Sequence, residues 1–258
     1  MPPTIEQARA AAQRMCDMAG VTLLDPEHPL RDVIVAGVAL ASRLGGRSAW
    51  SRDHVAEYVS VTLPGTGPAL AALAAVPVVG PILAAAVAAV GADRTVISLS
   101  PAVWSDPLRL LETVRHELGH AGQIARGGLP WCIAYLVGAE ARAAGEAPCY
   151  AASMAVRVRL GGESTAAAAE SAMRSLQGYG LDADALALAA GIIASARATL
   201  DAGEDLGGVV TEVVAAREST GWRPGPARPS RSPCSPSRRN APPWPSRRAG
   251  RALSGPSG

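Results

Sequence analysis

The run His116-Glu117-Leu118-Gly119-His120 places two imidazoles and one carboxylate within five consecutive residues. If this run is helical, His116 and His120 lie one turn apart and only about 40° apart around the helix axis. Both imidazoles then reach a single metal ion, and Glu117 projects beside that ion. The spacing therefore predicts a metal site on a helix, with an adjacent carboxylate free to act as a base.

The residues around this run predict the helix that the metal site requires. Ser105 or Asp106 provides an N-cap, and Pro107 suits the first turn. Apolar residues then recur at helical spacing until Gly127-Gly128 interrupts the pattern: Leu108, Leu111, Val114, Leu118 and Ile124. The two histidines therefore lie in the middle of a predicted helix.

A catalytic zinc site normally has three protein ligands and one open position. The chain has four His, and none follows His120. The remaining hard ligands downstream are Glu140, 20 residues beyond His120, and Glu146, 26 residues beyond it. Because six residues of a regular helix turn a side chain to another face, only one of the two can bind the same ion.

The segment Glu146-Ala147-Pro148-Cys149-Tyr150 resembles the Glu-x-x-Ala-(Tyr/Asp/Asn) signature that follows H-E-x-x-H in gluzincin-like zinc metallopeptidases. The resemblance includes the M48 type, the ImmA/IrrE type and small zincin-like proteins of bacteria and phages. The position of Glu140 is similar to that of the thermolysin type, but we favour Glu146. Pro148 departs from the signature and predicts that Glu146 lies in the first turn of its helix.

This resemblance covers about residues 94–160 and implies both a cofactor and an activity. It implies that His116, His120 and Glu146 hold Zn²⁺ and that Glu117 activates a water that hydrolyses a peptide or protein substrate. It further implies an edge strand at 94–100, with which an extended substrate pairs. Gln123 also recurs in the small zincin-like group and is a candidate hydrogen-bond partner of the site. The alternative is a zincin-like protein that binds metal without cutting peptides.

The predicted fold is mainly α, with a small sheet against the helix that carries the two histidines. We divide the chain into an N-terminal helical region at 1–58, an uncharged apolar segment at 59–92, a zincin-like core with further helices at 93–222, and a tail at 223–258. Three helices are expected after the core motif: Ser164–Gln177, Asp182–Leu200 and Asp205–Ala216.

Residues 59–92 contain no charged side chain and are long enough to span a bilayer, although four Pro and several Gly interrupt them. Buried core segments and membrane association, as in M48-type peptidases, both fit. The N-terminus lacks the pattern of a signal peptide, and the four scattered Cys include no Cys-x-x-Cys pair. We therefore expect a cytoplasmic protein, with a membrane-associated one as the alternative.

The tail at 223–258 differs from the body in charge and composition. It holds eight Arg, nine Pro and seven Ser with no acidic residue, whereas the preceding residues carry sixteen Arg against 22 acids. Too few apolar groups remain to offset the entropy of ordering, so we predict disorder. Basic tails can bind phosphate backbones, but we expect no specific nucleic-acid binding here.

We predict about one zinc ion per purified chain by elemental analysis, because three donors and an open position suit Zn²⁺. Glu146→Ala should lose the metal, and the matched variant Glu140→Ala should keep it. Zinc lost only from Glu140→Ala would assign the third ligand to the earlier carboxylate.

Overall fold

The structure is a computed structural model of the full chain, and it describes residues 3–29, 31–32, 34–35, 60–63 and 94–207. These residues belong to the first of two units, Met1–Gly225. Their elements, in chain order, are α1 Ile5–Met18, β1 Thr22–Leu24, β2 Val61–Leu63, β3 Val96–Ser98, α2 Pro101–Trp104, α3 Pro107–Val137, α4 Ala139–Gly161, α5 Thr165–Gln177 and α6 Ala183–Asp201. The prediction of a mainly helical fold with a small sheet is confirmed.

The strand predicted at 94–100 forms as β3, but it is not an edge strand. The sheet order is β1-β3-β2, with β1 parallel to β3 in register Leu23 with Ile97, and β2 antiparallel to β3 in register Thr62 with Ile97. The expectation that a substrate pairs with this strand is therefore wrong, because both of its edges are already hydrogen-bonded. The position of β3 in the sheet depends on its pairing with strands far away in the chain. The sequence of the strand itself does not indicate these partners.

Helix α1 is stabilised by an N-terminal cap and by an apolar stripe along one face. The Thr4 hydroxyl accepts from the Gln7 backbone, and the Gln7 side chain accepts from the Thr4 backbone, which completes a capping box. The stripe on one face is fully covered and consists of Ala8, Ala11, Ala12, Met15 and Cys16. It packs against Ile97 of β3 and the buried face of α3, forming the first hydrophobic core.

Helix α3 begins as predicted and is interrupted where the sequence indicated. The Asp106 carboxylate accepts from the backbone amides of Leu108 and Arg109, and Pro107 occupies the first turn. Gly128 has φ 56° and ψ −149°, a non-helical conformation that essentially only glycine adopts. A further helical segment continues from residue 129 to Val137, which the sequence analysis did not anticipate.

A second core holds α4, α5 and α6 together and is built largely from alanine. Its apolar members with longer side chains are Met154, Leu176, Ile193 and Leu200. Small side chains let the helices approach closely, as expected from a chain without Phe.

The predicted helices α5 and α6 both form, with Ser164 and Asp182 as their N-caps. Asp182 accepts from the Ala185 backbone, which makes it a cap residue. The third predicted helix does not begin at Asp205, because residues 205–207 form a bend and turn. Its remainder, most of the apolar segment and the whole tail lie outside the described residues. At the start of the apolar segment, Val61–Leu63 forms β2, a strand that we did not predict.

Within the described ranges, α6 is the helix that is long and apolar enough to cross a membrane by length and composition. One side of it packs on the second core through residues that include Ala189 and Ile193. The segment for which we considered membrane association, 59–92, is described only at 60–63.

We expect Gly128→Ala to destabilise the fold by roughly 1–3 kcal/mol, because a side chain is strained at this φ and ψ. Gly191→Ala is the matched control in the middle of α6, where a Cβ meets nothing within 4 Å. It should stabilise the fold by roughly 0.5–1 kcal/mol through helix propensity. Denaturant unfolding measures both; equal effects would contradict the interpretation of the Gly128 break.

Candidate metal centre

The structure brings His116, His120 and Glu146 together. Nε2 of His116 lies 3.2 Å from Nε2 of His120 and 3.2 Å from Oε2 of Glu146. Nε2 of His120 lies 3.5 Å from Oε1 of Glu146. Their side chains are 11%, 12% and 2% exposed. Two residues of α3 and one of α4 thus converge on one point.

The two carboxylates between which the sequence left a choice lie on the same helix, α4, but only one of them faces the histidines. Glu146 is buried beside them, whereas Glu140 is exposed in the first turn. The expectation that Pro148 places Glu146 in the first turn is wrong, since both residues lie inside α4. Pro148 and Ala144 are both exposed, so the carbonyl that loses its hydrogen-bond donor is on the side of the helix that water reaches.

The distances between these three donor groups match the geometry of a small tetrahedral ion. Two ligand atoms bound about 2.0–2.1 Å from a tetrahedral zinc lie about 3.3 Å apart. The observed separations of 3.2, 3.2 and 3.5 Å fall around this value. Each histidine is therefore at ligand spacing from the other and from one of the two Glu146 oxygens, Oε2 for His116 and Oε1 for His120.

Gln123, one turn beyond His120, sets which nitrogen of His120 carries its proton. Nε2 of Gln123 donates to the Gly145 carbonyl at 2.8 Å, and a carbonyl only accepts. The other end of the amide, Oε1, must then face Nδ1 of His120, 3.0 Å away, and accept a hydrogen from it. With the proton on Nδ1, the lone pair of the neutral ring is on Nε2, which is the atom that faces Glu146.

Tyr135 orients the carboxylate in a similar way. Its hydroxyl donates to Oε1 of Glu146. The other oxygen, Oε2, is buried and accepts no hydrogen bond from the residues that the structure describes, although Nε2 of His116 is near. Burying an ionised oxygen without a hydrogen-bond donor costs folding free energy. A metal ion bound to Oε2 would compensate for the missing donor.

The electrostatics of the site keep Glu146 charged. Burial opposes its ionisation, but the neighbouring imidazoles of His116 and His120 outweigh burial and hold the pKa of this carboxyl well below its ordinary value. Burial also opposes charge on His120, yet its contacts with Cys149 and Glu146 raise its pKa well above the ordinary value. The pocket therefore favours positive charge next to a carboxylate, whether the positive charge is a proton or a metal ion.

Cys149 offers an alternative third ligand. The donor atoms of His116, His120 and Cys149 all lie within 4.8 Å of one another. However, Sγ of Cys149 is 3.6 Å from Nδ1 of His120, the nitrogen whose hydrogen Gln123 accepts. Burial also raises the pKa of this thiol, which opposes formation of the thiolate. We therefore favour Glu146 as the ligand.

The carboxylate of Glu117 is held by a residue of the sheet. The Thr62 hydroxyl of β2 is 2.6 Å from Oε2 of Glu117 and 3.1 Å from its backbone carbonyl. Glu117 is only 6% exposed. Strand β2 thus contacts α3 at Glu117, the residue that the sequence predicts to be the base.

Tyr150 contacts His116 and is itself paired with Tyr179. The ring of Tyr150 meets that of His116 edge-on, with centroids 4.6 Å apart, and its hydroxyl lies 3.3 Å from that of Tyr179. Burial, with a weaker contribution from the charge of Glu146, raises the pKa of Tyr150 to about 12. Tyr150 therefore packs against a candidate ligand.

The sequence analysis missed Thr62 and Tyr135. Thr62 lies in the uncharged segment more than 50 residues before Glu117, and nothing in its neighbourhood marks it. Tyr135 had a detectable signal, because it is one of only four Tyr in a chain without Phe and lies between the motif and Glu146.

No family model matches the chain, and neither a curated protein nor a solved structure matches it. The function is therefore inferred from the geometry and chemistry of this site.

We expect Gln123→Ala to weaken zinc binding about 10–100-fold, because the partner of a ligating histidine typically contributes that much. Competition with a chelator of known affinity measures this loss. The control is Gln177→Ala at the exposed end of α5. An unchanged affinity in Gln123→Ala would show that the hydrogen bond to His120 does not position a ligand.

Proposed function

We propose that the protein is a zinc-dependent hydrolase of the gluzincin kind that cuts peptide bonds. The observation that carries the proposal is the convergence of His116, His120 and Glu146, with donors 3.2–3.5 Å apart, next to a buried Glu117 that directly follows His116 in the chain. The histidines come from one helix and the carboxylate from the next, which is the arrangement that the resemblance to zincins implies.

His116, His120 and Glu146 would hold the ion, leaving a fourth position open. Zn²⁺ bound there supplies a Lewis acid for a carbonyl and lowers the pKa of water. Glu117 would take a proton from water and deliver it to the leaving amine. The Thr62 hydroxyl at 2.6 Å fixes the direction of that carboxylate, and Gln123 and Tyr135 fix two of the ligands. Each residue is thus oriented before a substrate arrives.

The burial of the site favours a second candidate function, a metal-binding protein without turnover. All four side chains, His116, Glu117, His120 and Glu146, are at most 12% exposed. In any hydrolysis a water must lie within hydrogen-bond distance of Glu117, and a substrate carbonyl must reach that water. Such a protein would bind zinc through the same three side chains, and Glu117 would then have no chemical role.

We predict that Glu117→Gln keeps its zinc and loses about 10²–10⁴-fold in turnover, because an amide cannot act as the base. Mass spectrometry of a defined peptide mixture, scored for new termini, measures the turnover. Elemental analysis of the same preparation measures the metal.

Glu140→Gln is the matched control, since it changes an exposed carboxylate on α4. Cleavage retained in Glu117→Gln would exclude Glu117 as the base. Zinc in both proteins with cleavage in neither would assign the second function.

A further inference from the structure

The helical segment at 129–137, here called the cover, lies over the candidate metal centre. Its inner side carries Tyr135, which is bonded to Glu146, and Trp131, whose ring centroid is 6.3 Å from that of His120. Trp131 and Tyr135 stack on each other with centroids 5.3 Å apart. The cover thus contributes the two aromatic rings that shield one side of the site.

Both ends of the cover are glycines with non-helical backbones. Gly128 has φ 56° and ψ −149°, and Gly138 has φ −103° and ψ 127°. The backbone angles leave the helical range at both positions, which divide the cover from the motif-bearing part of α3 and from α4, although the Gly138 N–H still donates to the Ala134 carbonyl and its own carbonyl accepts from Arg142. Such positions at the ends of an element absorb the backbone changes of hinge motion.

The described side chains of the cover pack mainly on one side. Ile133 is 51% exposed and Val137 is 78% exposed, so these two residues bury little apolar surface. On the inner side, Trp131 and Tyr135 rest on Gly145 of α4, where an added Cβ would lie 3.2 Å from both rings. A helical segment held mainly from one side opens more easily than one buried on both.

From these contacts we propose that the cover is a hinged lid, held closed by the hydrogen bond from Tyr135 to Glu146, that admits substrate to the candidate metal centre only when it swings away. The role of the lid in admitting substrate rests on the proposed function. The lid accounts for a site whose candidate base and ligands are almost buried although a peptide must reach them. In the closed state the protein is latent, and the hydroxyl of Tyr135 couples the lid to a metal ligand.

Hydrogen exchange of the full-length, metal-free protein tests the lid without relying on activity or zinc. In Tyr135→Phe the amides of 129–137 should exchange about tenfold faster or more, since a hydrogen bond to a charged acceptor is lost. Exchange in α5 and α6 should stay unchanged. Tyr179→Phe is the matched control, because it removes a buried hydroxyl that pairs with Tyr150. Unchanged exchange of 129–137 in Tyr135→Phe, or an equal rise in Tyr179→Phe, would overturn the proposal.

If Tyr135→Phe raises exchange across the whole chain, Gly145→Ala decides the question. Its methyl group pushes against the rings of Trp131 and Tyr135 and leaves the hydroxyl in place. Faster exchange confined to 129–137 supports the lid, and unchanged exchange there refutes it.

Removal of zinc by excess EDTA connects the lid to the site. Release should be about tenfold faster or more from Tyr135→Phe than from Tyr179→Phe if opening of the lid limits access. Equal rates would show that the cover does not gate the metal. If neither protein takes up zinc, the proposed function fails, while the exchange measurement still decides whether the cover opens.

Discussion

The carboxylate of Glu146, buried between two imidazoles, is the interaction on which the arrangement of α3 and α4 depends. Moving a charged carboxylate out of water costs several kcal/mol even after the surroundings relax. Here that cost is offset by the hydroxyl of Tyr135 and by the imidazoles of His116 and His120, whose Nε2 atoms lie 3.2 and 3.5 Å from the two oxygens. The two helices must therefore keep this register, since a shift of either helix would leave the carboxylate buried and without partners.

Glycines on α3 and α4 make the close approach of these helices possible. A Cβ at Gly119 would lie 2.6 Å from Sγ of Cys149, and one at Gly161 would lie 2.7 Å from Cδ2 of Leu108. Gly145 provides the corresponding space for the rings of the cover. Close contacts thus occur at the middle and both ends of α4, and they fix its rotation so that Glu146 faces the histidines. Residue 119 of the motif is a glycine because a side chain there would collide with Cys149.

The residues around the three donors form a connected set that orients them. The Gly145 carbonyl directs the amide of Gln123, and Gln123 directs His120. Gly145 immediately precedes Glu146, so one turn of α4 supplies both a candidate ligand and the group that positions another candidate ligand. Thr62 connects the sheet to Glu117, and Tyr135 connects the cover to Glu146. The candidate site therefore draws on the sheet, α3 and α4 together, with the base and the ligands held by different elements.

The sequence by itself determined what depends on neighbours along the chain. It predicted a helical N-terminal region, the helix bearing the two histidines with its Asp106 cap, the break at Gly128, and helices α5 and α6, because capping, turn geometry and apolar periodicity act over a few residues. It could not determine which side of α4 would face His116, and so it left Glu140 and Glu146 as alternatives. It misplaced Pro148 relative to the start of α4 and took β3 for an edge strand. The tertiary structure alone decided these points and brought Thr62 and Tyr135 to the site, because helix rotation and strand order depend on packing between residues far apart in the chain.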